Sequence, residues 1–328
     1  MKNKIHTNLF LKIIFSTLYL TISSLCFGQS YPSGPIRLLV PYPPGGSSDV
    51  IIRPLTPALS TRLGKQIVVD NRGGAGGNIA MEIASKASPD GYTLVFALAA
   101  QAASNLSMYK NLPYHPDRDF AAISLLGAAP YLLEVHANLP VHSTQELITL
   151  AKTKPGQINY WSSGNGSAPH LSMELFKSMA GVNLAHIPYK GGGPAYPDFI
   201  AGRTQVTFTS YGSSYQHVKS GSLRILAVST VNRSKALPDV PTVSESGIPG
   251  YDSSVWYALL APRNTPQNII FKLNHEVKTA MTTPEMVERL NSQALEVIAS
   301  SPEYLSKYIK SEIIKWAGVV KRSGATID

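Results

Sequence analysis

Four times along this chain, a short apolar run ends in a glycine- and serine-rich turn and gives way to residues at helical spacing. The runs are 36–40, 67–69, 158–161 and 185–187, and the turns are 41–49, 71–78, 162–170 and 188–194. A strand, a glycine turn and a helix, in that order, make the βα rhythm of a mostly parallel sheet with helices on both faces. The chain is therefore expected to be α/β. Its 328 residues suffice for two domains with separate cores. With 44% hydrophobic and 15% charged residues, its composition is globular.

The turns also carry chemistry. A helix N-terminus presents free backbone N–H groups and about half a unit of positive charge. Glycine lets a ligand approach that backbone closely. Serine hydroxyls add adjustable donors. If the sheet is parallel, strand C-termini and helix N-termini share the edge where ligands bind. Two domains facing each other with such edges would grip an oxyanion from both sides without formal charges.

The remaining segments fill in the frame. Ile51, Leu55, Leu59 and Leu63 mark a helix capped by Ser48 or Asp49 and ended by Gly64, which Pro57 should kink or shorten. Helices are also expected at about 78–86, 145–152, 170–179 and up to 200, with strands at 92–97, 206–209 and 223–229. The long apolar stretch 123–135 could cross between domains, and 254–261 is a plausible return. Helices at 267–281, 284–291 and 302–320 close the chain.

Enzyme signatures fail one by one. There is no Gly-x-Ser-x-Gly elbow, Gly164-Asn165-Gly166 lacks the third glycine of a dinucleotide fingerprint, and Gly64-Lys65 is followed by Gln66 where a P-loop needs Ser or Thr. His115, His136 and His142 are isolated, and no His-x-x-x-His pair exists for a metal. No cofactor and no metal are expected. A hydrolase would need a serine and a carboxylate arranged around His170, and no such pattern is visible.

The N-terminus has the pattern of a secretory signal peptide. Lys2 and Lys4 precede an apolar stretch, 13–27, shorter than the roughly 20 residues of a spanning helix. Cleavage is expected near Gly28, which places the mature protein in the periplasm and removes Cys26, the only cysteine. The net charge of +9 is scattered, with no nucleic-acid patch.

Read together, the motifs resemble one family. Pro41-Tyr42-Pro43-Pro44-Gly45-Gly46 with Asp49 is similar to the signature loop of Bug-type receptors, the substrate-binding components of tripartite tricarboxylate transporters. The resemblance continues through 69–79, 89–94, Gly164-Asn165-Gly166-Ser167, 186–192, 237–242 and 256–262, the length of the mature chain. It implies a type II periplasmic-binding (venus-flytrap) fold: two doubly wound α/β domains with a cleft between them. The expected boundaries are a signal peptide at 1–28, a discontinuous domain of 29–129 with 252–328, and a second domain of 130–251. The implied protein is a receptor, not an enzyme. It binds a small carboxylate as a monomer and passes it to membrane permease subunits, or signals to a membrane sensor.

The resemblance also implies the ligand contacts. In the first domain they are Tyr42, Gly45, Gly46, Ser47, Ser48 and Asp49, with Gly77. In the second they are Ser163, Asn165, Gly166, Ser167 and His170, then Tyr189 and Gly191. At Ala99 and Gln101 the chain departs from a polar stretch usual in the family. At Thr209 and Tyr211 it departs from an acid followed by Asn. All four are expected ligand contacts. Loss of that acid removes a partner for a ligand ammonium group, so the ligand is expected to lack an amine and to be partly apolar or aromatic.

Overall fold

The frame is a ten-stranded mixed sheet flanked by helices. The computed structural model describes residues 31–42, 44, 48–189 and 192–324. The signal peptide, Gly45, Gly46, Ser47 and Gly191 lie outside those residues. From Gly34 on, the chain forms one compact unit.

Its elements follow in order. First come β1 (Ile36–Val40), α1 (Asp49–Leu63), β2 (Ile67–Asn71), α2 (Asn78–Ser85) and β3 (Thr93–Leu98). A π-helical turn at Ala100–Ser104 leads into the short α3 (Asn105–Met108) and then β4 (Phe120–His136). The middle holds α4 (Thr144–Thr153), β5 (Asn159–Ser162), α5 (Ala168–Ala180), β6 (Ala185–Pro188), α6 (Gly192–Ile200), β7 (Val206–Ser210), α7 (Tyr211–Lys219) and β8 (Leu223–Val228). The chain closes with β9 (Ser254–Pro262), α8 (Gln267–Met281), α9 (Pro284–Asn291), the two-residue β10 (Glu296–Val297) and α10 (Pro302–Ser323).

Local sequence explains most of these. Ile51, Leu55, Leu59 and Leu63 are all buried on one face of α1, and Gly64 ends it at φ 67°. Contrary to expectation, Pro57 does not shorten this helix, which contains both Pro54 and Pro57. An interior proline costs about 3 kcal/mol, but each buried aliphatic side chain returns about 1.5–3 kcal/mol. In α9 and α10, Thr283 and Ser301 cap the helix through their hydroxyls, and Pro284 and Pro302 take the first position, where no N–H is missed.

The sheet order is β2-β1-β3-β9-β4-β7-β5-β6, with β8 and β10 also paired to β4. Within each half the βα strands run parallel: β1 with β2 and β3, and β5 with β6 and β7. β4 joins the halves. Up to Pro130 it pairs with β9, and from Tyr131 it pairs with β7 and β8. All of these β4 pairings are antiparallel, so the sheet is mixed where a mostly parallel one was expected. The reason is topological: a strand leaving one half and the strand returning to it must run in opposite directions.

The return path is tied at Ser229. Its hydroxyl donates to Ser253 O (2.5 Å) and accepts from Tyr131 N (2.8 Å), while Ser253 N donates to Ser229 O (2.9 Å). On α10, Glu312 accepts from the indole N–H of both Trp256 and Trp316, each at 3.0 Å, and pairs with Lys315. These bonds satisfy an acid that is only 4% exposed. Among the described residues, no helix is long and apolar enough to cross a membrane.

Candidate functional site

A cleft of about 590 Å³ opens at the carboxyl ends of the strands of both halves. Tyr42 follows β1, Leu98 closes β3 with Ala99 next to it, Ser163 follows β5, and Thr209 and Ser210 close β7. Tyr131 and Ser254 line it where the chain passes between halves. Among the described residues, no charged side chain lines this cleft. Its polar surface is hydroxyl, amide and backbone; its apolar surface includes Leu98, Ala99, Phe208 and the rings of Tyr131, Trp161 and Tyr257.

In the first half, Gln101 organises the site. Its side chain is fully buried. The amide nitrogen donates to Tyr42 Oη (2.8 Å) and Gly76 O (2.5 Å), and the amide oxygen accepts from Leu98 N (3.2 Å). One side chain thus fastens two glycine turns to the end of β3. Tyr42 Oη, having accepted from Gln101, keeps its own hydrogen to donate. Burial raises the pKa of that phenol, so it stays a donor. Gly77 sits at φ 91°, and a Cβ there would lie 2.6 Å from Gln101 Nε2 and 2.9 Å from Pro41 Cβ. Asn78, Asn105 and Tyr114 extend the network below: Asn78 Oδ1 accepts from Asn105 Nδ2 (2.7 Å) and Tyr114 Oη (3.0 Å).

In the second half, the turn 163–167 rests on two histidines. His170 Nδ1 accepts from Gly166 N (3.0 Å), so the ring hydrogen is on Nε2 if the ring is neutral. Its ring stacks on His186 at 4.0 Å and 7°, and His186 Nε2 lies 2.7 Å from Ser162 Oγ. Burial lowers both pKa values. That of His186, lowered further by His170, falls to about 4, so both rings are neutral at pH 7. Gly164 and Gly166 take φ of 126° and 72°, which only glycine adopts freely. Ser167 caps α5 by position, yet its hydroxyl is buried with no hydrogen-bond partner and lies at the cleft. The Trp161 indole N–H and Tyr196 hydroxyl are also at the cleft, buried and unpartnered. Ser48, at the start of α1, has an unpartnered buried hydroxyl as well, though it does not line the cleft.

Seven of the residues singled out from the sequence converge here: Tyr42, Ala99, Ser163, Asn165, Gly166, Ser167 and Thr209. Others do not reach the cleft. Gln101 and Gly77 lie behind the first turns, and His170 lies under the second-half turn. The Tyr189 hydroxyl donates instead to Asp198 Oδ2 (2.7 Å) on α6. Tyr211 begins α7 and is not part of the lining. Asp49 is the first residue of α1. His170 bonds to Gly166, not to a serine hydroxyl, so the arrangement needed by a hydrolase is not formed around it. The aromatic lining escaped sequence reading. Tyr131, Trp161, Tyr196 and Tyr257 are spread over more than a hundred residues, and only the sheet order brings them together.

Residues 51–325 match the family described as tripartite tricarboxylate transporter family receptor. The chain is 37% identical over 300 residues to Protein BugT of Bordetella pertussis, covering 91% of this chain and 92% of that one. Among solved structures it is similar to R. palustris Rpa4515 with adipate (35% identity, TM-score 0.77, 90% of this chain and 99% of that one). It is also similar to MatC from Rhodopseudomonas palustris with bound malate (28% identity, TM-score 0.73, 88% of this chain and 100% of that one).

Proposed function

The chain belongs to the tripartite tricarboxylate transporter receptor family, and on that premise we propose that its cleft captures a small carboxylate in the periplasm for delivery to a membrane permease. Members of this family are solute receptors, and this chain is a receptor, not an enzyme. One observation carries the ligand assignment. The unpartnered Trp161 Nε1 and Ser167 Oγ of the second half face the Tyr42 hydroxyl of the first, which accepts from Gln101, in one cleft whose described lining has no formal charge. Such a site can hold an oxyanion by oriented dipoles without the desolvation cost of a buried ion pair. Adipate bound to Rpa4515 and malate bound to MatC set the scale of the expected ligand.

The finer reading follows from the walls. Leu98, Ala99, Phe208 and the surrounding rings favour a carboxylate with an apolar or aromatic body. No carboxylate among the described lining would pair with an ammonium group, so the ligand carries no amine. We take residues 29–129 with 252–328 as one domain and 130–251 as the other, in keeping with the change of β4 partners after Pro130. Residues 1–28 are taken as the export signal.

Calorimetry and thermal melts with adipate, malate, benzoate and aspartate test this. Adipate or benzoate is expected to bind saturably. A ligand at 100 times its Kd should add about 2.7 kcal/mol of stability. Binding of none of these acids overturns the receptor assignment, and preference for aspartate overturns the amine-free ligand. Loss of uptake of the bound acid in a deletion strain identifies a permease, not a sensor, as the partner.

A further inference from the structure

Beneath the second-half wall of the cleft lies an acid that the binding site does not use directly. Glu134, in the C-terminal part of β4, is fully buried, and neither carboxyl oxygen has a hydrogen-bond partner. Beside it stand the hydroxyls of Thr209 and Ser214, also buried and unpartnered. The unpartnered Tyr196 hydroxyl is close enough to feel its charge. Thr209 and Tyr196 also line the cleft. We propose that Glu134 is a positioning residue, which sets the direction of these hydroxyls and takes up a proton when a carboxylate enters the cleft.

The reason is donor arithmetic. Each hydroxyl has one hydrogen and two lone pairs. An ionised Glu134 can only accept, so it draws the neighbouring hydrogens inward and leaves lone pairs facing the cleft. Those lone pairs repel an incoming carboxylate. A protonated Glu134 supplies a hydrogen of its own and frees a hydroxyl hydrogen to point at the ligand. The bound anion and an ionised Glu134 therefore compete for the same hydrogens, and their charges repel across a medium of low dielectric.

The surroundings leave the acid free to respond. Thr207 on β7 and Ile225 on β8 are its register partners, and neither carries charge. Arg224, opposite Val135, donates instead to Val141 O. His136, two residues along β4, is held between Ile200 O and Asn138 N. On the helices above, His217 of α7 stacks on Tyr196 of α6 at 5.5 Å. Among the described residues, no cation lies within ion-pair distance of Glu134. Burial pushes its carboxyl up to about 7, against the opposite pull of the Ser214 and Thr209 hydroxyls. A modest push from a bound anion then suffices to protonate it near neutral pH.

This rests on the cleft binding a carboxylate, and one experiment separates the two claims. Adipate and benzoate are titrated calorimetrically into the exported protein and into Glu134→Gln, in phosphate and in Tris, from pH 5 to pH 9. The wild type is expected to take up about half a proton per ligand at pH 7 and none at pH 5. Its affinity should fall towards tenfold per pH unit above pH 8. Glu134→Gln, which keeps the shape but carries no charge, is expected to show no such uptake and a nearly flat affinity profile. Infrared difference spectra of the wild type supply a second readout without a variant: ligand should add a band from a buried protonated carboxyl. Binding without proton uptake, or an unaltered profile in Glu134→Gln, overturns the role of Glu134 and leaves the receptor intact. If none of adipate, malate, benzoate and aspartate binds, both claims fall.

Discussion

Gln101 shows how one residue can govern a site it does not line. Its three hydrogen bonds hold Tyr42, Gly76 and the end of β3 together from a fully buried position. Gln101→Leu keeps much of the volume and removes all three. The lost bonds and the buried groups left unpaired should cost about 1–3 kcal/mol of stability. Affinity should fall at least tenfold, because two turns lose their common anchor. A chemical-denaturation curve and a binding isotherm measure these separately, and unchanged affinity would refute the anchoring role. The sequence marked Gln101 as important but assigned it to the ligand. A linear pattern says that an amide stands near a turn; it does not say which side of the turn the amide faces. The same limit explains His170, which braces the backbone of Gly166 from beneath.

At the scale of elements, legibility followed periodicity. α1, α4, α5, α8, α9 and α10 present apolar residues at helical spacing between recognisable caps, and all were readable to within a few residues. α7 was not, because Gly212, Ser213 and Ser214 in its first turn are poor helix formers, and its place is set by the strands on either side. The π-helical turn at Ala100–Ser104 and the two-residue β10 were also missed: one is nearly all alanine in context, and the other is too short to have a period. The pairing of β5, β6 and α5 has a consequence that sequence could not show. The stacked His170 and His186 lie under the binding turn, with the pKa of His186 lowered to about 4 from 6.5 by burial and by its neighbour. A depressed histidine stabilises the fold fully above the unfolded value of 6.5. That contribution is lost as pH falls through 4, because the unfolded chain binds the proton first. Thermal melts of the wild type should therefore drop between pH 6.5 and 4, and the drop should be smaller in His186→Gln. Equal slopes in the two proteins would place the acid sensitivity elsewhere.

For the whole molecule, the governing feature is how few segments pass between the halves. β4 changes partners after Pro130, and the return enters β9 at Ser254, beside the Ser229 hydroxyl that bonds to both passages. The sequence offered the apolar stretches 123–135 and 254–261 as passages between domains, and they correspond to β4 and β9, which pair with each other along most of the length of β9. It could not anticipate that they run antiparallel within one continuous sheet. Few connections around a cleft make a hinge, and a ligand that binds groups from both halves favours whichever arrangement brings them closer. Small-angle scattering of the exported protein should therefore show a smaller radius of gyration with saturating ligand. Ser229→Ala loosens both passages at once by removing bonds to Tyr131 and Ser253. It should make the unliganded protein more variable in shape while leaving the liganded radius near that of the wild type, since the ligand itself then supplies the link. An unchanged radius on saturation would mean that the cleft binds as a rigid pocket and that the crossing strands transmit no closure.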